Sequence, residues 1–204
     1  MEHSRPIFLP VILGTPRQGR MSEHAAKVLV DEVSKREGVE TELVDIRKLS
    51  LPTDNAGEEI KDRAFSATVG RADGLVIVAP EYNHGYPGLL KHVLDTNLSE
   101  YIHKAVGICG VSAGPFGGTR VIQNLLPVMR EVGLVTIFWD VNFSSVQNAF
   151  DEKGNLSRLL QVQRACGGFG KAVDAVDKAH HANRSRWSWS HRRLFRGTSG
   201  AGRA

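Results

Sequence analysis

The stretch GTPRQGRMS, Gly14–Ser22, gathers two hydroxyls, two guanidiniums and two glycines into nine residues. Set between an apolar strand and the start of a helix, such a stretch makes an anion site. Unpaired N–H groups at a helix N-terminus and the positive end of the helix dipole favour negative charge there. Thr15 and Ser22 supply hydroxyl hydrogen bonds, and Arg17 or Arg20 pairs bidentately with a phosphate. No Lys-Ser/Thr pair follows the last glycine, which disfavours ATP or GTP hydrolysis, and the G-x-G-x-x-G dinucleotide fingerprint is missing as well.

Two further stretches carry unusual composition. In APEYNHGYPGLLKHVLD, polar and aromatic residues crowd the end of an apolar run. Pro80 and Pro87 stiffen it, while Gly85 and Gly88 permit close backbone approach. Such a loop presents backbone N–H and C=O groups to the edge of a flat heterocycle, with Tyr82 and Tyr86 available to pack on it. The third stretch, SAGPFGG at 112–118, adds glycines whose missing side chains leave room for a planar ligand. Together the three describe a phosphate at one end and a flat, hydrogen-bonding ring at the other, the shape of flavin mononucleotide (FMN).

For these stretches to meet, the elements between them must bring them to one rim. The hydrophobic pattern predicts strands at Pro6–Gly14, Val39–Ile46, Asp73–Ala79, Ala105–Ser112 and Leu134–Val141. Helices are predicted from Met21 to about Glu37, from about Glu58 to Gly70, at Gly88–Leu98, at Thr119–Val132 and from Leu156 to about His181. Pro127 is expected to kink the fourth of these or mark its early turns. Five alternating strands and helices predict an α/β sandwich of three layers, one parallel sheet with helices on both faces. In such sheets ligands bind beyond the carboxyl ends of the strands, where strand order reverses. The three unusual stretches follow predicted strands one, three and four.

Composition bounds the remaining possibilities. The 204 residues, 41% hydrophobic and 24% charged, suffice for one globular domain without a disulfide or metal staple. Cys109 and Cys166 are too few for a disulfide framework or a zinc site of four thiolates, and both read as buried free thiols in a reduced compartment. The formal net charge is +4, but six arginines lie in the last 22 residues with no acid among them; taking those six charges away leaves −2 for residues 1–182. The basic character therefore belongs to a tail, and a whole-protein case for nucleic acid fails. The domain is expected to span residues 1–182. The Arg/Ser/Trp-rich tail, residues 183–204, is expected to be flexible, as a solvated extension, a stacking or interfacial patch, or a docking segment. No apolar run reaches the length of a membrane span and no secretory leader is expected, so the protein is placed in the cytoplasm.

The chain resembles the NAD(P)H-dependent FMN reductase family of flavodoxin-like proteins over about residues 6–180. The resemblance rests on G-T-x-R-x-G-R-x-S at Gly14–Ser22, P-E-Y-N-x-G-x-P-G-x-L-K at Pro80–Lys91, and glycine-rich Ser112–Gly118 followed by Thr119 and Arg120. It implies strand order 2-1-3-4-5 and FMN at the carboxyl edge of the sheet. It further implies Thr15, Arg17, Arg20, Met21 and Ser22 around the phosphate, by side chain or backbone. Pro80, Glu81, Tyr82, Asn83, His84 and Gly85 would edge the isoalloxazine ring, and Ser112, Gly114, Gly117 and Gly118 would lie beneath it. Two positions depart from the family pattern: Arg20 stands where many members carry the phosphate-binding serine, and His92 stands where asparagine is usual.

The resemblance implies a homodimer or homotetramer that takes hydride from NADPH or NADH. An acceptor then follows: a quinone, an azo compound, a metal oxyanion or free flavin. The flavin carries the hard chemistry, so no side chain is named as catalytic and no metal is expected. His84 is the one tempting acid or base. The rival reading is a flavodoxin-like carrier of single electrons without enzymatic activity. Neither a membrane nor a nucleic acid is expected as a partner.

Overall fold

A computed structural model of the chain describes residues 5–54 and 57–156. The expected tail, Cys166 and the helix predicted from Leu156 to His181 fall outside these residues, apart from Leu156 itself.

Among the described residues, eight short strands and four α-helices build the fold. The strands are β1 Ile7–Phe8, β2 Val11–Leu13, β3 Val39–Glu40, β4 Leu43–Asp45, β5 Gly74–Pro80, β6 Ala105–Val111, β7 Val135–Thr136 and β8 Val141–Phe143. The helices are α1 Ser22–Ser34, α2 Arg63–Arg71, α3 Gly88–Asp95 and α4 Thr119–Glu131. Three of the five predicted strands are split. Pro10 has no N–H to donate, and the first prediction breaks around it. Residues before the break pair with β3, while those after it pair with β4 and β5. The second strand divides in step, and the fifth divides into β7 and β8, both laid parallel on β6. The main sheet runs β4-β2-β5-β6-β7, with β8 continuing beside β6, and every pairing is parallel. Read as five interrupted strands, this is the expected order 2-1-3-4-5 in a flavodoxin-like sandwich.

Alternation along the strands fills two cores. Ile12, Leu75, Ile77, Val106 and Ile108 point to one side, where α2, α3 and α4 cover them with Phe65, Val69, Leu90, Val93, Leu94, Val121, Leu125 and Met129. Val11, Leu13, Val76, Val78, Cys109 and Val111 point to the other, against Ala25, Ala26, Leu29 and Val33 of α1. Each fully buried Leu, Ile or Val contributes about 1.5–3 kcal/mol. On α3 and α4, Leu90, Val93, Leu94, Leu125 and Met129 are buried in this core, and Leu89, Leu126 and Val128 are half-buried against it. Cys109 is a buried free thiol, its pKa pushed up by burial.

Helix ends follow local chemistry. The segment predicted as one helix from Glu58 begins as a 3-10 turn, Gly57–Ile60, and becomes α2 only after Asp62, whose carboxylate accepts from the Phe65 N–H at 2.8 Å. Pro127 lies within α4, which continues to Glu131. At the amino edge of the sheet, Asp73 seats β1 by accepting from the Phe8 N–H at 2.9 Å and from both ends of the Arg5 guanidinium at 2.7 Å. Among the described residues no helix is long and apolar enough to cross a membrane.

Candidate functional site

β5 and β6 end opposite one another at Pro80 and Val111, and β2 ends beside them at Leu13, opposite Val78. The loops that leave them are therefore neighbours at one rim, as the three sequence stretches require.

The first loop runs from Gly14 into α1. Gly14 sits so close to the β5 backbone that an added Cβ would lie 2.8 Å from the Val78 carbonyl oxygen and 2.9 Å from Leu90. Thr15 is fully buried, and its Oγ1 lies 2.8 Å from the Tyr82 hydroxyl, tying the first loop to the second. Arg20 is buried too, and its guanidinium turns toward protein. Nη2 donates to Asp45 at the end of β4 at 2.5 Å, and Nη1 donates to the Thr15 carbonyl. Burial alone would raise the Asp45 pKa. The Arg20 hydrogen bond, the Arg47 backbone N–H and the charges of both arginines outweigh it and hold the carboxyl below its ordinary value.

Ser22, the first residue of α1, is 2% exposed, and its Oγ has no hydrogen-bond partner among the described residues. Backbone N–H groups of Gln18 to Ser22 likewise donate to no acceptor among the described residues. A run of five such donors around a buried hydroxyl, at the positive end of a thirteen-residue helix, has the donor chemistry a phosphate needs. Arg17 stays exposed, its guanidinium stacked 3.7 Å above the Tyr82 ring. Of the five residues predicted around the phosphate, the structure gathers all on one loop but turns Arg20 inward.

The second loop is a tight hairpin. Tyr82 and Gly85 exchange both backbone hydrogen bonds at 2.9 Å, and the two residues between them have positive φ, Asn83 at 51° and His84 at 67°. This is a type I′ geometry, in which asparagine is favoured. Glu81 begins the loop with its N–H on the Val111 carbonyl at 2.8 Å. Its side chain is only 6% exposed and meets α4, where Arg120 Nε donates to Oε1 at 2.7 Å. Arg120 Nη1 also reaches His84 Nε2 at 2.9 Å, and Asn124 donates to the His84 carbonyl at 2.5 Å. Because a guanidinium only donates, His84 Nε2 is the acceptor in this contact. His84 is thus held as part of the rim. Tyr86, expected beside the ring, is half-buried against the core.

The third loop gives the glycines a different reason from the expected one. Gly117 and Gly118 are buried with φ of 61° and 76°. A Cβ on Gly118 would stand 2.5 Å from the Val111 nitrogen, and one on Gly110 would stand 2.7 Å from both Gly117 and Gly118 oxygens. These glycines let the loop lie on β6, so their missing side chains are required by the protein's own backbone. Gly114 is exposed, with nothing near where a Cβ would be, and leaves the rim open. Ser112 closes the turn by donating to the Gly114 carbonyl at 2.9 Å. Asn142 and Ser145 brace the loop through Gly117 and Gly114.

Sequence reasoning missed Asp45, Arg120, Asn124 and Asn142. Arg120 lay inside a quoted motif but carried no role. His92, left without one, has its Nε2 3.1 Å from the Pro52 carbonyl.

A parallel sheet in this order, with a donor-rich turn and a backbone-rich hairpin at its switch point, defines a flavodoxin-like α/β protein. Residues 9–148 match the family described as NADPH-dependent FMN reductase, and the chain belongs to that family of flavin-dependent oxidoreductases. An NADPH azoreductase of Bacillus sp. strain OY1-2 is 34% identical over 122 residues, 57% of this chain and 65% of the azoreductase, so the match spans just under two thirds of that relative. An NAD(P)H-dependent FMN reductase of Pseudomonas aeruginosa is 29% identical over 160 residues, 71% of this chain and 82% of the relative. Among solved structures, the flavoenzyme NAD(P)H:(acceptor) oxidoreductase FerB of Paracoccus denitrificans shares the fold at a TM-score of 0.69 and 22% identity, covering 85% of this chain and 98% of its own. The family's cofactor is FMN and its electron donor NAD(P)H.

Proposed function

We propose that this rim holds FMN and that the protein passes electrons from NADPH or NADH to a flat two-electron acceptor, a quinone or an azo compound. The observation that carries the reading is the Ser22 hydroxyl, buried and without a partner among the described residues, inside a run of N–H groups from Gln18 to Ser22 that likewise meet no acceptor there. These groups, with the Thr15 hydroxyl and the Arg17 guanidinium, are the donors for the phosphate. Arg20 acts at one remove: bound to Asp45 and the Thr15 carbonyl, it fixes the loop in the shape that presents those donors.

On the ring side, the hairpin from Pro80 to Gly85 offers backbone groups in a fixed type I′ turn, and Tyr82 closes the angle between phosphate and ring through Thr15. Ser112 and Gly114 border the open side, while Gly117 and Gly118 carry the loop on the sheet. Bound FMN supplies hydride acceptance and donation. The chain's residues bind it, orient it and aim backbone N–H dipoles at the edge where negative charge grows on reduction. Access from solvent remains past Gly114 and the exposed Phe116, which suits a planar acceptor.

The test is anaerobic addition of NADPH, then NADH, to the FMN-loaded protein, followed by a quinone or an azo dye. The expected result is prompt, stoichiometric loss of the yellow colour and its return with acceptor. Colour that persists under excess of both nicotinamides points instead to a single-electron carrier.

A further inference from the structure

Outside the phosphate loop, the least expected contact at the rim is the one between α4 and the hairpin. Glu81 brings a carboxylate into the base of the hairpin with its side chain 6% exposed, Oε1 on Arg120 and Oε2 buried without a partner among the described residues. A carboxylate so placed is costly unless its charge is matched, and Arg120 is the matching charge. The same guanidinium donates to His84, and Asn124, one helical turn further along α4, holds the His84 carbonyl. Arg120 also lies 5.0 Å from the centre of the Phe116 ring. One residue on a rigid helix therefore fixes both the shape of the turn and its electrical balance.

We infer that Arg120 is a positioning residue that neutralises Glu81 and sets how tightly reduced FMN is held relative to oxidised FMN. The inference rests on the FMN reading above. Reduction places negative charge on the cofactor. With Arg120 in place, the hairpin presents a balanced ion pair and its N–H dipoles dominate. Without it, the Glu81 carboxylate opposes that charge from a poorly solvated position. Without Glu81, the guanidinium favours the charge. The two substitutions should therefore act in opposite directions, which a merely structural role would not produce.

The experiment measures, on the full chain, the dissociation constant of oxidised FMN and the two-electron midpoint potential of bound FMN. Arg120→Met is expected to weaken binding of reduced relative to oxidised FMN about tenfold, the order of effect of one unmatched charge beside a charging group. For a two-electron couple this lowers the potential by about 30 mV. Glu81→Gln is expected to raise it, Arg120→Lys to stay near wild type, and Arg120→Met with Glu81→Gln to return toward wild type. Should Arg120→Met fail to fold, Glu81→Gln carries the test alone. Potentials that do not move in either single variant, or that move the same way in both, overturn the inference while leaving the FMN reading intact. A wild-type chain that binds no FMN overturns both.

Discussion

Replacing Ser22 by alanine should strengthen the empty protein and weaken the loaded one. The Ser22 hydroxyl is buried at the start of α1 with no hydrogen-bond partner among the described residues, and such an unsatisfied group costs about 1–3 kcal/mol. Alanine removes the oxygen, leaves almost no cavity and suits a helix slightly better. The apoprotein should gain about 1 kcal/mol, which at this chain length raises Tm by roughly 2–4 °C. With FMN bound, the same hydroxyl donates to a charged phosphate oxygen, a hydrogen bond worth about 1.5–3 kcal/mol. Its loss should weaken binding by roughly 10- to 150-fold. Thermal unfolding of the apoprotein and fluorescence titration of apoprotein with FMN measure the two effects separately. An affinity within about twofold of wild type, together with a lowered apo Tm, would show that the hydroxyl serves the helix and not a phosphate.

Arg17→Ala should weaken FMN binding by about 1.5–3 kcal/mol in the same titration, since the exposed guanidinium leaves its stack on Tyr82 to meet a phosphate; unchanged affinity removes Arg17 from the site. Asp45→Asn breaks a pair whose side chains are 2% and 10% exposed, and should cost about 3–5 kcal/mol in urea unfolding with FMN affinity falling alongside. The pH dependence has a definite sign. The Asp45 pKa is lower folded than unfolded, so its contribution is complete above the ordinary aspartate value near 4 and is lost as pH falls through the lowered one. Asp45→Asn should flatten that acid-side loss, and an unaltered acid profile would contradict it. Gly118→Ala should cost about 2–4 kcal/mol, because φ of 76° and a 2.5 Å approach to the Val111 nitrogen both forbid a side chain; a loss under about 0.5 kcal/mol in urea unfolding would refute the backbone reason given for this glycine.

The rim was legible in the sequence because its parts are local. A hydroxyl- and arginine-bearing turn before a helix, a proline-bounded turn with Asn83, and a glycine-rich loop each betray themselves within ten residues. The alternation of strands and helices foretold a parallel sheet covered on both faces, and the motif resemblance alone implied its strand order. What stayed hidden depends on partners far apart in the chain. Arg20 looked like a phosphate ligand because nothing local shows that Asp45, 25 residues on, waits at the end of β4. Arg120 meets Glu81 across 39 residues, and only the packing of α4 beside β5 and β6 brings them together. Gly117 and Gly118 were legible as required glycines, but the surfaces they had to clear belong to the protein itself: Asn142 and Ser144 for Gly117, Gly110 and Val111 for Gly118. The splitting of the first strand was foreshadowed by Pro10, whose lost N–H marks where pairing changes from β3 to β4 and β5.

The most direct test of the whole account is the stoichiometry of FMN on the purified full-length chain, measured by titrating the apoprotein and identifying the chromophore it releases. The account predicts saturation at one FMN per chain, with the released yellow compound identified as FMN. A chain that takes up no FMN, or that binds riboflavin as tightly as FMN, would contradict it, since the Gly14–Ser22 turn would then hold no phosphate.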